Sequence, residues 1–120
     1  MIEGLKSEVQ RLKMTVVWSW AGWRAAWATE KTLRQWTWAN VGSVGLALVL
    51  DLSSVERALI VGFGVLILAA ELMNTGIEEA VNRVGREDHP LSKKAKDVGS
   101  AAVAVTAIAA GLVWVIVLVG

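Results

Sequence analysis

The last 23 residues of the chain, Val98 to Gly120, carry no charged side chain, and about 20 apolar residues suffice to take a helix across a hydrocarbon core. A run of that kind commits the chain to lipid. Composition agrees: AVILMFWYC supply 55% of the 120 residues, and about 64% once glycine is added, against about 45–50% in soluble domains. Seven Trp stand against no Tyr and one Phe, and the indole ring favours the membrane–water boundary. With no strand-type alternation, the expected fold is all-α and integral to the membrane.

Ala58 to Ala70 is a second uncharged run, and it extends through Glu71 and Asn74 to Ile77, so this span carries polar groups in its later half. A third, weaker span lies between about Thr32 and Leu50 and turns back through Asp51-Leu52-Ser53-Ser54. The expected helices are about 5–30 at the interface and about 32–50, 55–84 and 91–119 across the membrane, in one domain, 1–120. Six of the twelve Lys and Arg lie in residues 1–37 and five in 82–97, with Arg57 alone near the first turn. By the positive-inside rule the N-terminus and the second loop face the cytoplasm. No cleavable leader pattern, internal repeat or low-complexity segment is visible.

Leu5, Val9, Leu12, Val16, Trp20, Trp23 and Trp27 recur at spacings of three and four, one stripe of a helix. Lys6, Lys13, Arg24 and Lys31 flank the stripe, as suits a helix lying among lipid headgroups. Continuing the wheel puts Glu30 and Arg34 on the apolar side, where a charge needs a partner or ligand.

The sharpest signal is inside the second span. Glu71, Asn74, Glu78 and Asn82 share one helix face, with Thr75 beside them. Ionisable groups in a hydrophobic span are costly and mark a functional site by default. Glu71 and Glu78 are about 10 Å apart along the axis, too far to share an ion. A deep base and a shallower metal ligand are the natural division of work; a polar seam joining helices is the blander reading, strongest for Asn74 and Thr75. Farther on, Pro90 fits the first turn of a new helix, and Lys96, Asp97 and Ser100 share a face by their spacing. Lys93 and Lys94 read as topology and headgroup contacts, and His89 as a surface loop residue.

Several chemistries are excluded. There is no Cys, hence no disulfide, thiol nucleophile or Cys-based zinc site. One His cannot form a cluster, so any metal is held by carboxylates and is a hard ion such as Mg²⁺. No GxxxxGK[ST] loop is present. The residues alone reach a cytoplasm-facing, carboxylate-lined, metal-dependent membrane site without naming its substrate.

Glu71-Leu72-Met73-Asn74-Thr75-Gly76-Ile77-Glu78, then Arg83 and Lys96-Asp97-Val98-Gly99-Ser100, resemble the signature of the small prokaryotic diacylglycerol kinases. Trp20, Gly22, Arg24-Ala25-Ala26-Trp27, Glu30 and Arg34-Gln35 match that family's N-terminal motif, and the likeness runs from about Arg11 to Trp114. The resemblance implies a homotrimer of three-span chains with an interfacial N-terminal helix in the bacterial inner membrane. It implies transfer of the γ-phosphate of ATP to the hydroxyl of diacylglycerol, giving phosphatidate, with Mg²⁺ and no nucleic-acid partner. By position, Glu71 resembles the general base and Glu30 and Glu78 the metal ligands. Lys96 and Asp97 match the nucleotide pair, joined at nucleotide positions by Arg11, Trp18, Arg24, Glu30, Glu78, Glu87 and His89. Arg11, Arg34, Gln35, Arg57, Glu71, Asn74, Ser100 and Trp114 correspond to lipid-site positions. Asn82, Ala21 and Trp36 depart from a usual Asp, Lys and Glu. Three spans enclose too little surface for such a site, so a neighbouring subunit is expected to complete it. Undecaprenol kinases of the same family are the alternative, since His89-Pro90-Leu91-Ser92-Lys93-Lys94-Ala95-Lys96-Asp97 is similar to their wording. A small trimeric transporter or lipid-binding scaffold is a more distant one.

Overall fold

The computed structural model describes residues 1–120 and contains four helices: α1 (Ile2–Thr29), α2 (Lys31–Val49), α3 (Ser54–Val84) and α4 (Pro90–Val119). They form two compact units, Met1–Glu30 and Lys31–Gly120. Glu30 separates α1 from α2 with extended backbone, φ −105° and ψ 101°, while its N–H still donates to the Ala26 carbonyl at 2.7 Å. Each helix begins slightly before its expected start, α1 most of all. The apolar stripe first becomes visible at Leu5, whereas nothing in Ile2 to Gly4 stops the helix, and Glu3 suits the positive end of its dipole.

Within the first unit the stripe divides. Leu5, Leu12, Val16 and Trp20 are exposed, while Trp23 and Trp27 are half-buried and stack on each other with ring centroids 5.9 Å apart.

In the second unit α3 is central, packing against both α2 and α4. Its start is set by a capping box: Ser53 Oγ accepts from the Glu56 N–H at 3.1 Å, and Glu56 Oε1 accepts from the Ser53 N–H at 2.8 Å. Arg57, one turn in, donates through Nε to the Ala47 carbonyl and through a terminal nitrogen to the Leu50 carbonyl, both at 2.8 Å. It thereby supplies the cation that the last turn of α2 lacks. At 31 residues, α3 is about 46 Å long at 1.5 Å per residue, well beyond the ~30 Å hydrocarbon thickness. Its last turns, with Glu78, Asn82 and Arg83, have length to reach past the apolar layer. The Gly85–His89 loop then leads into α4, where Pro90 occupies the first turn and His89 Nδ1 accepts from the Leu91 N–H at 3.1 Å.

The buried face of α3 runs Ile60, Gly64, Ile67 and continues without change of spacing as Glu71, Asn74 and Thr75. Apolar core in one half of the helix becomes polar site in the other. Two glycines let partner helices come close: a Cβ on Gly64 would run into the Asn40 amide, and one on Gly99 would lie 2.5 Å from Asn74 Oδ1. α2 and α4 are tied by Trp114 Nε1, which donates to Ser43 Oγ at 2.9 Å.

Two helices, α3 and α4, are long and apolar enough to cross a membrane. α2 does not reach that standard, because its 19 residues include Lys31, Arg34, Gln35 and Asn40. Of the most apolar stretch of α4 only 6% is buried within the chain, and of α3 28%, so neither is the covered core helix of a water-soluble domain. Val105, Ile108, Leu112, Val115 and Ile116 of α4 are all more than half exposed, a surface that lipid or another chain solvates.

Candidate functional site

Three side chains of α3 form the centre. Glu71 is 4% exposed, Asn74 8% and Thr75 9%. Thr75 folds back to donate to the Glu71 main-chain carbonyl at 3.0 Å, a local bond that satisfies its hydroxyl in apolar surroundings. Asn74 Nδ2 donates to Glu78 Oε1 at 3.3 Å, linking the buried part of the row to the half-buried Glu78 one turn later. On its other side the Asn74 carbonyl Oδ1 is buried with no hydrogen-bond partner, and it faces Gly99 of α4. An unsatisfied buried acceptor costs about 1–3 kcal/mol, and natural chains carry few of them outside functional sites.

Farther along, Lys96 of α4 reaches across to α3 and its Nζ donates to Asn82 Oδ1 at 2.7 Å. Asp97 turns elsewhere and accepts from Lys93 Nζ at 2.5 Å on the exposed side. Ser100 is also exposed. Lys96, Asp97 and Ser100 lie within about 100° of arc on α4, as their spacing requires, but of the three only Lys96 bonds across to α3.

Between the end of α3 and the start of α4 lies a cavity of about 690 Å³, within the size range of small-ligand pockets. Glu87, His89 and Lys96 line it together with Arg86, Ser92 and Lys93. Asp97 lines a neighbouring hollow instead. A second cavity, about 230 Å³, sits between α2, α3 and α4 and is bordered by Asn40, Ser43 and Trp114.

The remaining candidates fall within one unit or the other. Arg57 is 14 residues from Glu71 on α3, about 21 Å along the axis, and it caps α2. Arg11 is exposed and paired with Glu8; Trp18 and Arg24 are exposed on α1. Glu30, half-buried, ends the first unit and accepts from Thr29 Oγ1 at 3.3 Å. Arg34 is half-buried and Gln35 exposed on α2. No three His, Asp or Glu side chains come together in a way that could hold an ion. The Glu78 carboxylate, half-buried one turn beyond Asn74, nonetheless suits an ion that takes one or two carboxylates and draws its other ligands from substrate phosphates and water, as Mg²⁺ does.

Sequence reasoning left Asn82 without a role and passed over Arg86, Asn40 and Ser43. The glycines opposite two of the amides, Gly64 and Gly99, are the available signal, since a glycine on a packed helix face permits close approach.

The profile of the family described as Prokaryotic diacylglycerol kinase matches residues 17–118. The chain is 42% identical over 100 residues to a diacylglycerol kinase of Escherichia coli strain K12, covering 83% of this chain and 82% of that one. With the diacylglycerol kinase of Pseudomonas aeruginosa it shares 41% over 112 residues, 93% of this chain and 91% of the other. With that of Helicobacter pylori strain 26695 it shares 36% over 105 residues, 88% and 82% of the two chains. The matched region takes in Glu71 and Glu78 of α3, the loop cavity and Lys96 alike, and the chain belongs to the prokaryotic diacylglycerol kinase family.

Proposed function

We propose that the protein phosphorylates diacylglycerol with ATP, giving phosphatidate and ADP at the cytoplasmic face of the bacterial inner membrane. The observation that carries this reading is the row Glu71–Asn74–Glu78, buried at its deep end and open at its shallow end. One helix thus offers a carboxylate to a lipid alcohol and another to a water-borne phosphate.

Glu71 is the proposed general base: a carboxylate oxygen takes the proton of the lipid hydroxyl as that oxygen bonds to the γ-phosphorus and the bond to the ADP oxygen breaks. Phosphoryl transfer needs alignment and charge neutralisation more than covalent help, which is why a chain without a P-loop can perform it. Asn74 holds Glu78 through its amide N–H. Glu30 and Glu78 are the proposed holders of Mg²⁺, which when bound neutralises phosphate charge. Lys96, Asp97, Glu87 and His89 are proposed to receive the nucleotide, joined by Arg11, Trp18 and Arg24 of α1. Arg34, Gln35, Arg57, Ser100 and Trp114 are proposed for the lipid side.

Two further parts of the reading rest on the bare apolar surface of α4 and the absence of a three-carboxylate cluster within one chain. We propose three spans, α2 included, with the N-terminus and the Gly85–His89 loop cytoplasmic, and a homotrimer whose sites draw on two subunits.

The test uses purified protein in mixed micelles with Mg-ATP, offered diacylglycerol and undecaprenol side by side. Diacylglycerol is expected to be the better substrate, and a preference for undecaprenol would move the chain to the other branch. Glu71→Gln should lower turnover by about 10²–10⁴, the range of a general base, with nucleotide binding retained. Undiminished turnover in that variant would remove the base.

A further inference from the structure

The cavity between α3 and α4 has two lysines on its wall whose charges are handled differently. Lys93 Nζ lies 2.5 Å from the Asp97 carboxylate, and both side chains are well exposed. Lys96, half-buried, places its Nζ 2.7 Å from the carbonyl oxygen of Asn82 on the opposite helix. A carboxylate cancels the charge it binds; a carboxamide directs the ammonium and adds no net charge. Asn82 is itself half-buried and follows Glu78 by one turn on α3, so its amide stands beside the acid row without adding to it. The bond links the last full turn of α3 to the second turn of α4.

We propose that Asn82 is a positioning residue for Lys96, a neutral acceptor that fixes the ammonium at the cavity and leaves its full charge for the phosphates of the nucleotide. This rests on the reading that Lys96 meets those phosphates. A lysine is a flexible point charge with three donors. One donor anchored on a neutral oxygen restricts where the charge sits while two others stay available. An acid at position 82 would hold the same geometry with the charge largely cancelled before the nucleotide arrives.

The experiment is a cycle on the full chain in detergent micelles, measuring KM for Mg-ATP, kcat and the thermal midpoint at low and high salt. Asn82→Asp should raise KM about fivefold, the scale of a partly screened charge pair, and should flatten its salt dependence. Its kcat should be little changed and its midpoint no lower than the parent's, because an ion pair replaces a neutral bond; a purely structural role would instead move the midpoint and leave KM alone. In a Lys96→Met background, Asn82→Asp should add nothing, the sign that the two act together. An unchanged KM in Asn82→Asp, or the same rise with and without Lys96, overturns the positioning role. An unchanged KM in Lys96→Met instead sinks the underlying reading of Lys96. If Asn82→Asp does not assemble, Asn82→Ser and Asn82→Leu decide: the hydroxyl should keep KM near the parent's and the apolar chain should raise it, and equal KM values for the two overturn the proposal.

Discussion

At Arg57 the guanidinium commits two donors to the Ala47 and Leu50 carbonyls, and hydrogen bonds from charged groups contribute about 1.5–3 kcal/mol each at sites where nothing replaces them. Arg57→Met, which keeps the stem and removes the donors, is expected to destabilise by about 2 kcal/mol; a thermal midpoint equal to the parent's would show that the end of α2 does not depend on this cap. The residue was expected by resemblance at the lipid site, and its position along the chain says nothing of the carbonyls it meets. Glu71, Asn74 and Glu78 are the opposite case. Their common face follows from spacing alone, and the Asn74–Glu78 bond is the four-residue contact that helix geometry supplies to any such pair. Lys96 and Asn82 lie 14 residues apart across a loop, and no local periodicity connects them.

Among the elements, α3 is the most legible and α2 the least. The α3 boundaries are written in its ends, with Ser53 and Glu56 as a capping box and Gly85 after the last turn. α2 has neither caps nor sustained hydropathy, and its place beside α3 depends on Gly64 accepting Asn40 and on Arg57. Close packing of α3 on α4 depends in the same way on Gly99. A valine there would press on the buried Asn74, which has no solvent to turn into, so Gly99→Val is expected to cost about 1–3 kcal/mol, as overpacking does, and to lower turnover by displacing the acid row. Gly111 on the same helix has open space around its Cα, and Gly111→Ala serves as the control that should leave both the midpoint and the activity near those of the parent. Equal effects at the two glycines would mean that helix flexibility rather than contact sets the result.

At the scale of the whole molecule, the chain covers little of its own apolar surface, Leu33, Ile60, Ile67 and Val103 being the only apolar side chains larger than alanine that it buries. Such a surface calls for lipid, and for further protein if the site is shared. Mixing Glu71→Gln chains with Glu30→Gln chains should then restore part of the activity that each lacks alone, measured as phosphatidate formed after the two are unfolded together and reassembled; mixtures as inactive as either parent would argue for sites confined to one subunit. The sequence by itself determined that the chain is helical and apolar, where α3 turns polar, and which acids share its face, because these depend on runs and spacings within single helices, where about 3.6 residues make a turn. Only the tertiary structure decided which helix lies against that face. It gave Asn74 a glycine for a neighbour, sent Lys96 to Asn82 while Asp97 went to Lys93, and set Arg57 on the end of α2. Those outcomes depend on how two helices cross and on which side chain is long enough to bridge them, and that is settled by packing between segments distant in the chain.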